Sequence, residues 1–170
     1  MIKLIACIGP NGELGLNNDL IYHNKKDMKF FREQTIENVV IMGKNTFESL
    51  NFKPLSDRIN IVLIDEPIYY SGVLTWNMPL EDALNKAQEL FPMLDIYIIG
   101  GAYVYNQAIE QGLADELLLT RMYEKKDADV FIDVSKIDEK YYIEDLLDIL
   151  SEDDMAIIYK YVRREEDRMS

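Results

Sequence analysis

The chain has 170 residues, a length that suits one domain. Hydrophobic residues make up 48% of it and charged residues 29%, a composition typical of a soluble globular protein. Its 31 acidic and 18 basic residues give a net charge of −13, which argues against binding to nucleic acid or to an anionic membrane because both need a basic surface.

Cysteine and histidine are too few for a disulfide or a metal centre. Cys7 is the single cysteine and His23 the single histidine, so we predict neither an internal disulfide nor a bound metal. The N-terminus lacks the pattern of a secretory signal, and no apolar run approaches the ~20 residues that span a bilayer. We therefore expect a cytoplasmic protein with no membrane or nucleic-acid partner.

Short apolar runs alternate with helical patterns along the first two thirds of the chain. The runs, at residues 2–8, 39–42, 59–64 and 96–99, predict strands that are covered on both faces. The helical patterns cover residues 25–36, 45–50, 79–91 and 102–111. This alternation predicts an α/β domain with a central, mostly parallel sheet of about eight strands and helices on both faces.

The last third has a different pattern. Residues 117–123, 141–150 and 155–162 predict antiparallel strands that finish one edge of the sheet, with no helix between them. The charged tail at 163–170 is expected to fray.

Asp27 lies on the apolar stripe of the first predicted helix, beside Met28 and one turn before Phe31. A carboxylate that faces a core costs several kcal/mol unless a partner compensates it. From this helix alone, an acid that merely caps the first turn is favoured by about two to one over a carboxylate that binds a ligand.

Two buried strands end at glycines where a helix begins. Gly43 precedes Lys44 and Thr46, and the pair Gly100-Gly101 precedes Ala102. Glycine allows close approach of a phosphate, and the free N–H groups of a helix N-terminus bind it. Each segment alone is a weak signal, but together they favour a nucleotide lying across the strand ends.

At these positions the chain resembles the dihydrofolate reductase family, from Met1 to the last strand. The motifs that carry the resemblance are the first strand, Gly15-Leu16-Asn17-Asn18, the helix with Asp27 and Phe31, residues 40–50, Pro54-Leu55 with Arg58, Ile98-Ile99-Gly100-Gly101 with Val104-Tyr105, Leu119-Thr120-Arg121 and Asp129-Val130-Phe131. The segment 40–50 is the most specific of them.

The resemblance implies a function and an organisation. It implies NADPH-dependent transfer of a hydride to C6 of 7,8-dihydrofolate with protonation at N5, which gives tetrahydrofolate for one-carbon metabolism. It also implies a single domain over residues 1–170, with an adenosine-binding subdomain at approximately 38–90, and a monomer.

The resemblance assigns the catalytic residues. Asp27 is implied to bind the pterin amino group and N3 and to raise proton availability at N5 through solvent, with a pKa raised by desolvation. Thr120 is implied to hold this carboxylate and a bound water. Tyr22 is expected to donate to the water that links to Asp27, although many relatives read Pro-Trp where this chain reads Ile21-Tyr22.

The resemblance also assigns the substrate pocket. Arg58 matches the arginine that forks onto the α-carboxylate of the substrate's glutamate, a task for which lysine is poorly suited. The other implied positions are Ile5, Cys7, Leu20, Met28, Phe31, Ser49, Leu50, Leu55, Ile99 and Tyr105. Met28, Ser49 and Leu50 suggest that a trimethoprim-type diaminopyrimidine binds, its protonated ring pairing with Asp27.

The implied cofactor is NADPH, and residues 11–23 match the mobile loop that closes over the nicotinamide. The implied contacts are Cys7, Gly15, Asn18, Gly43, Lys44, Thr46, Leu63, Ile64, Gly100, Gly101, Ala102, Tyr103, Val104 and Tyr105.

The sequence departs from the family pattern near the 2′-phosphate of NADPH. Asp65-Glu66 replaces the polar or basic residue of many relatives, and Tyr103 replaces an arginine of some. Only Lys44 clearly remains to offset that phosphate. We therefore expect weaker discrimination against NADH than is usual.

Two other functions are compatible with parts of the pattern. One is a reductase of the same fold that acts on a pyrimidine intermediate of riboflavin synthesis; Asp27, Phe31 and Arg58 together suit a pterin that bears a glutamate better. The other is a non-catalytic scaffold that binds folate or a nucleotide. It is disfavoured because Asp27 and both glycine helix starts are present.

Overall fold

Eleven strands and five helices are assigned in the computed structural model, which describes residues 1–151 and 155–165. The strands are β1 (Ile2–Ile8), β2 (Glu13–Leu16), β3 (Asp19–Leu20), β4 (Val39–Gly43), β5 (Ile59–Leu63), β6 (Leu74–Trp76), β7 (Ile96–Ile98), β8 (Glu116–Met122), β9 (Val130–Phe131), β10 (Tyr141–Leu150) and β11 (Ala156–Arg163). The helices are α1 (Lys25–Thr35), α2 (Lys44–Ser49), α3 (Leu80–Leu90), α4 (Ala102–Glu110) and α5 (Val134–Lys140).

Eight strands form the central sheet in the order β10-β11-β8-β1-β7-β4-β5-β6. The six strands from β8 to β6 in this order run parallel, and β11 lies antiparallel to both β8 and β10. A smaller sheet, β3-β2-β9, lies beside it. The predicted α/β class, with a mostly parallel sheet of about eight strands, is confirmed.

The parallel strands are apolar on both faces because helices cover both faces. Along β4, Val39 and Ile41 belong to one buried cluster and Val40 and Met42 to the other. This is the alternation expected of successive residues in a strand. On α3, Leu80, Ala83, Leu84 and Ala87 repeat at helical spacing and bury one stripe of the helix.

The C-terminal third differs from the prediction. Residues 116–122 form β8, which is parallel to β1, and α5 lies between β8 and β10 where no helix was predicted. Helix α5 has only seven residues and one fully buried side chain, Ile137, so its sequence shows no clear period. Asp133 begins it by accepting from the N–H groups of Ser135 and Lys136.

The tail expected to fray is only partly described. Arg163 ends β11 rather than beginning a loose tail, and its guanidinium pairs with Asp115 at 2.5 Å. Residues 166–170 lie outside the described residues, as do 152–154. Within the described ranges, no helix is long and apolar enough to cross a membrane.

Candidate active site

A cleft of about 1020 Å³ opens where the parallel strands β4, β5 and β7 end and the helices α2 and α4 begin. It is bounded on the other side by the β2–β3 segment. Of the residues assigned from sequence, it is lined by Gly15, Asn18, Leu20, Gly43, Lys44, Thr46, Ser49, Leu63, Ile64, Gly101, Ala102, Tyr103 and Val104. Ligands of open α/β sheets bind at this edge of the sheet.

The two glycine helix starts lie against each other. The N–H of Gly43 donates to the carbonyl of Gly100 at 2.8 Å, so the ends of β4 and β7 are joined directly. Gly43 caps α2 and Gly101 caps α4, and neither helix start receives a hydrogen bond from a capping side chain. The backbone N–H groups of the first turns are therefore free to face a ligand.

Gly100 has no tolerance for a side chain. Its φ is +120°, and an added Cβ would lie 3.1 Å from the Tyr105 ring and 3.2 Å from Thr46 Oγ1. A Cβ on Gly43 would lie 3.2 Å from Val104. This glycine-lined cradle fits the phosphates of a dinucleotide, because it brings bare backbone to the cleft.

Asp27 does not cap its helix. Asn24 is the cap of α1, and its side chain accepts from the N–H of Asp27 at 3.0 Å. The Asp27 carboxylate instead turns to the central sheet, where Thr120 donates its hydroxyl to Oδ1 and the Cys7 thiol also donates to the carboxylate. Cys7 and Thr120 are paired residues of β1 and β8. The capping interpretation is therefore wrong.

Burial controls the ionisation of this cluster. Burial raises the pKa of the Asp27 carboxyl, and the hydrogen bonds from Thr120 and Cys7 offset part of the rise. Burial, followed by the nearby Asp27, raises the pKa of the Cys7 thiol well above its ordinary value. The thiol therefore keeps its proton and remains a donor to Asp27.

Five of the apolar residues assigned to the substrate pocket lie in one hydrophobic cluster. Ile5 and Ile99 are buried in one cluster, against which Phe31, Leu50 and Leu55 pack. The Tyr105 hydroxyl donates to the carbonyl of Ile5 at 2.7 Å, which holds α4 against β1.

Three of the assigned wall residues are exposed. Leu20 is 62% exposed and Ser49 is also exposed, and both line the cleft. Met28 is 60% exposed on α1 and does not line the cleft. The apolar stripe predicted for α1 therefore fails at Met28, while Thr35 on the same helix is buried.

Tyr22 makes a different contact from the predicted one. Its hydroxyl donates to the backbone carbonyl of Glu124 at 2.7 Å, so its only proton is not directed to a water beside Asp27. The side chain is buried against Met122, Leu150 and Ile158. No described contact joins Tyr22 to Asp27, so its catalytic role through a bound water stays a prediction.

Arg58 is a half-buried cation with neutral partners. Its Nη1 donates to Thr35 Oγ1 at 3.0 Å and its Nε to the carbonyl of Ser56 at 2.9 Å. Burial, and then the neighbouring Arg32, lower the pKa of its guanidinium. Among the described residues, no carboxylate forms an ion pair with it. The Arg58 guanidinium is therefore held in one orientation and is available to bind the carboxylate of a ligand.

Glu13 is a buried acid that the sequence analysis missed. It is 1% exposed, and its Oε1 accepts from the N–H of Asn11 at 2.6 Å. Its Oε2 has no partner among the described residues. A Cβ on Gly9 would lie 2.2 Å from the Tyr22 hydroxyl and 2.7 Å from Glu13 Oε2. The Tyr22 hydroxyl and Glu13 Oε2 therefore occupy the space that a side chain at position 9 would fill. Burial, and then Glu13, raise the pKa of Tyr22 to about 12.

Glu13→Gln is expected to stabilise the unliganded protein by about 1 kcal/mol, because it replaces a buried carboxyl group, whose Oε2 has no partner among the described residues, with an amide. The melting temperature should rise by roughly 2–4 °C in calorimetry. Glu33→Gln, an exposed change on α1, is the control and should change it little. A destabilisation of similar size by Glu13→Gln would contradict this account of the buried carboxylate.

Comparisons of this chain with known proteins all identify one family. The sequence model of the family described as "Dihydrofolate reductase" matches residues 1–163. The dihydrofolate reductase of Haemophilus influenzae is 34% identical over 129 residues, which are 76% of each chain. That of Ureaplasma parvum is 34% identical over 137 residues, covering 79% of this chain and 83% of its own.

A solved structure agrees with the sequence relatives. The dihydrofolate reductase from Enterococcus faecalis, complexed with NADP(H) and RAB-propyl, superposes with a TM-score of 0.82 at 28% identity and covers 97% of both chains. Since the family model matches residues 1–163 and relatives that are 34% identical are covered to three quarters or more, the chain belongs to the dihydrofolate reductase family.

Proposed function

We propose that the protein reduces 7,8-dihydrofolate to tetrahydrofolate with NADPH as the donor. The observation that carries the proposal is the Asp27 carboxylate, which is half-buried, is held by Thr120 and Cys7, and has a pKa raised by burial. A carboxylate in this setting needs a partner that donates to it. The amino group and N3 of a pterin are such donors.

The cleft residues fit the donor. NADPH, when bound, supplies the hydride. The N–H groups after Gly43 and Gly101 would hold its phosphates, and Lys44 would supply the positive charge at the adenosine end. Gly15, Asn18 and Leu20, on the segment across the cleft, would cover its nicotinamide end and exclude water.

Asp27 has two tasks in the proposed reaction. It fixes the pterin ring by accepting from the ring's donors, and its raised pKa places it closer to the working pH than an exposed aspartate. Thr120 and Cys7 hold the carboxylate in one orientation. The proton for N5 comes from solvent that Asp27 attracts to that side of the ring.

The remainder of the substrate has its own partners. Phe31, Leu50 and Leu55 would pack against the aminobenzoyl group, and the Arg58 fork would bind the α-carboxylate of the glutamate. A diaminopyrimidine of the trimethoprim type would use the same carboxylate, because its protonated ring is a cation with paired donors.

The organisation of the site supports a monomer. One chain supplies Asp27, Arg58 and both helix starts, so the proposed reaction needs no second copy. Residues 38–90 would form the adenosine-binding subdomain, since they contribute Lys44, Leu63 and Asn77 to one wall of the cleft. We propose a cytoplasmic location, which the composition of the chain supports.

A turnover assay separates this proposal from its alternatives. Protein mixed with dihydrofolate and NADPH should consume the donor, followed by nicotinamide absorbance, with one tetrahydrofolate formed per donor. Turnover of the pyrimidine intermediate of riboflavin synthesis in place of dihydrofolate would favour the other reductase. Tight binding of folate with no turnover would favour the scaffold.

A further inference from the structure

Lys44 lies at the cleft between acidic side chains. Among the described residues that line the cleft, Lys44 is the single cation, against the four acids Asp19, Asp65, Glu66 and Asp129. Lys44 Nζ lies 3.8 Å from Glu66 Oε2 and 4.0 Å from Glu48 Oε1. The charge that would meet a phosphate is therefore already shared between two carboxylates.

The two acids that follow β5 differ in their relation to this lysine. Both Asp65 and Glu66 line the cleft, but only Glu66 forms an ion pair with Lys44 among the described contacts. At the start of α4, Tyr103 is 80% exposed and adds no charge.

On the proposed function, we infer that Glu66 is a specificity-determining residue that acts through Lys44 and lowers the preference for NADPH over NADH. To meet the 2′-phosphate, Lys44 must leave Glu66 or divide its charge between that carboxylate and the phosphate. NADH has no phosphate at that place, so its binding does not require Lys44 to give up Glu66. Lys44 is half-buried and Glu66 is exposed, so the effect of the pair on affinity is moderate.

Glu66→Gln tests this inference without a change of size. The ratio of kcat/KM for NADPH to that for NADH should rise about three- to fivefold. Calorimetry gives a second readout that needs no catalysis: the affinity for 2′,5′-ADP should rise by a similar factor, and that for 5′-AMP should not rise. An unchanged ratio together with unchanged affinity for 2′,5′-ADP would overturn the inference.

Two further variants distinguish an effect of the Lys44–Glu66 ion pair from an effect of net charge alone. Asp65→Asn removes the same charge from the neighbouring residue and should raise the ratio less than twofold, by about the amount expected of an unpaired exposed charge. In a Lys44→Met background, the gain from Glu66→Gln should fall below about twofold, because the coupled partner is gone. An equal gain from Asp65→Asn, or a full gain in the Lys44→Met background, would show that Glu66 does not act through Lys44.

The kinetic and calorimetric measurements together distinguish failure of this inference from failure of the proposed function. If dihydrofolate is not reduced with either donor, the proposed function is wrong, while the affinities for 2′,5′-ADP and 5′-AMP still decide the role of Glu66. If dihydrofolate is reduced and the wild-type protein prefers NADPH by a very large factor that Glu66→Gln leaves unchanged, the inference alone is wrong. Circular dichroism checks that each variant keeps the fold.

Discussion

Asp27→Asn is expected to lower kcat/KM for dihydrofolate by about 10²- to 10³-fold at neutral pH, within the range that a general acid–base group contributes. Asparagine keeps the shape of the side chain but loses the charge that binds the pterin's donors. It also keeps only one acceptor oxygen, where the carboxylate offered two to the hydroxyl of Thr120 and the thiol of Cys7.

Steady-state and single-turnover kinetics would measure this loss. Glu33→Gln removes an acid from the exposed face of the same helix, α1, and is the matched control; its kcat/KM should stay within about twofold of wild type. A variant Asp27→Asn that retained a tenth or more of the activity would contradict the role assigned to the carboxylate.

The same substitution should stabilise the unliganded protein, in a pH-dependent way. Burial raises the pKa of Asp27 above that of an aspartate in the unfolded chain. The stability linked to its protonated form is therefore complete below the unfolded pKa and is lost as the pH rises through the folded pKa. In denaturant unfolding, the free energy of unfolding of Asp27→Asn should increase relative to that of wild type from pH 4 to pH 7. A difference in unfolding free energy between the variant and wild type that stays constant over this range would contradict the raised pKa of Asp27.

Arg58→Lys is expected to raise KM for dihydrofolate by about 10- to 100-fold while kcat changes little, because a lysine cannot replace the two parallel hydrogen bonds of the fork. The guanidinium is oriented by Thr35 and Ser56, so a lysine would lose both the fork and its positioning.

A shortened substrate provides the control for Arg58. A dihydropteridine without the aminobenzoylglutamate tail should react equally well with wild type and Arg58→Lys, since it has no carboxylate to bind. The KM for NADPH should also be unchanged. If the tail-less substrate lost as much as dihydrofolate, Arg58 would act on the structure of the pocket and not on the glutamate.

The sequence predicted the elements whose own residues determine them. The runs that became β1, β4, β5 and β7 are apolar except for Lys3 and Asn60, and helix α3 repeats its buried residues at a clear period. The helix α5 and the strands β2, β3, β6 and β9 have two to seven residues each, too few for a period to emerge. The direction of β8 depends on its pairing with β1, about 110 residues earlier, which local pattern does not encode.

The candidate site, like the fold, was predicted from the sequence only in part. The glycine helix starts were visible as strand-to-helix breaks, whereas the role of Asp27 came from resemblance, because its helix alone favoured a cap. The structure gave that cap to Asn24. The contact of Tyr22 with Glu124 joins residues 102 positions apart, and the pairing of Lys44 with Glu66 joins two separate elements. Such contacts follow from the fold and not from spacing.

The central claim is that this chain carries a hydride from NADPH to C6 of dihydrofolate, and isotope transfer measures that step directly. The protein would be incubated with dihydrofolate and NADPH that carries deuterium at both C4 positions of the nicotinamide. The account predicts tetrahydrofolate with one deuterium, located at C6 by proton NMR and mass spectrometry. Oxidation of the donor with no deuterium at C6, or no oxidation although both ligands bind, would contradict it.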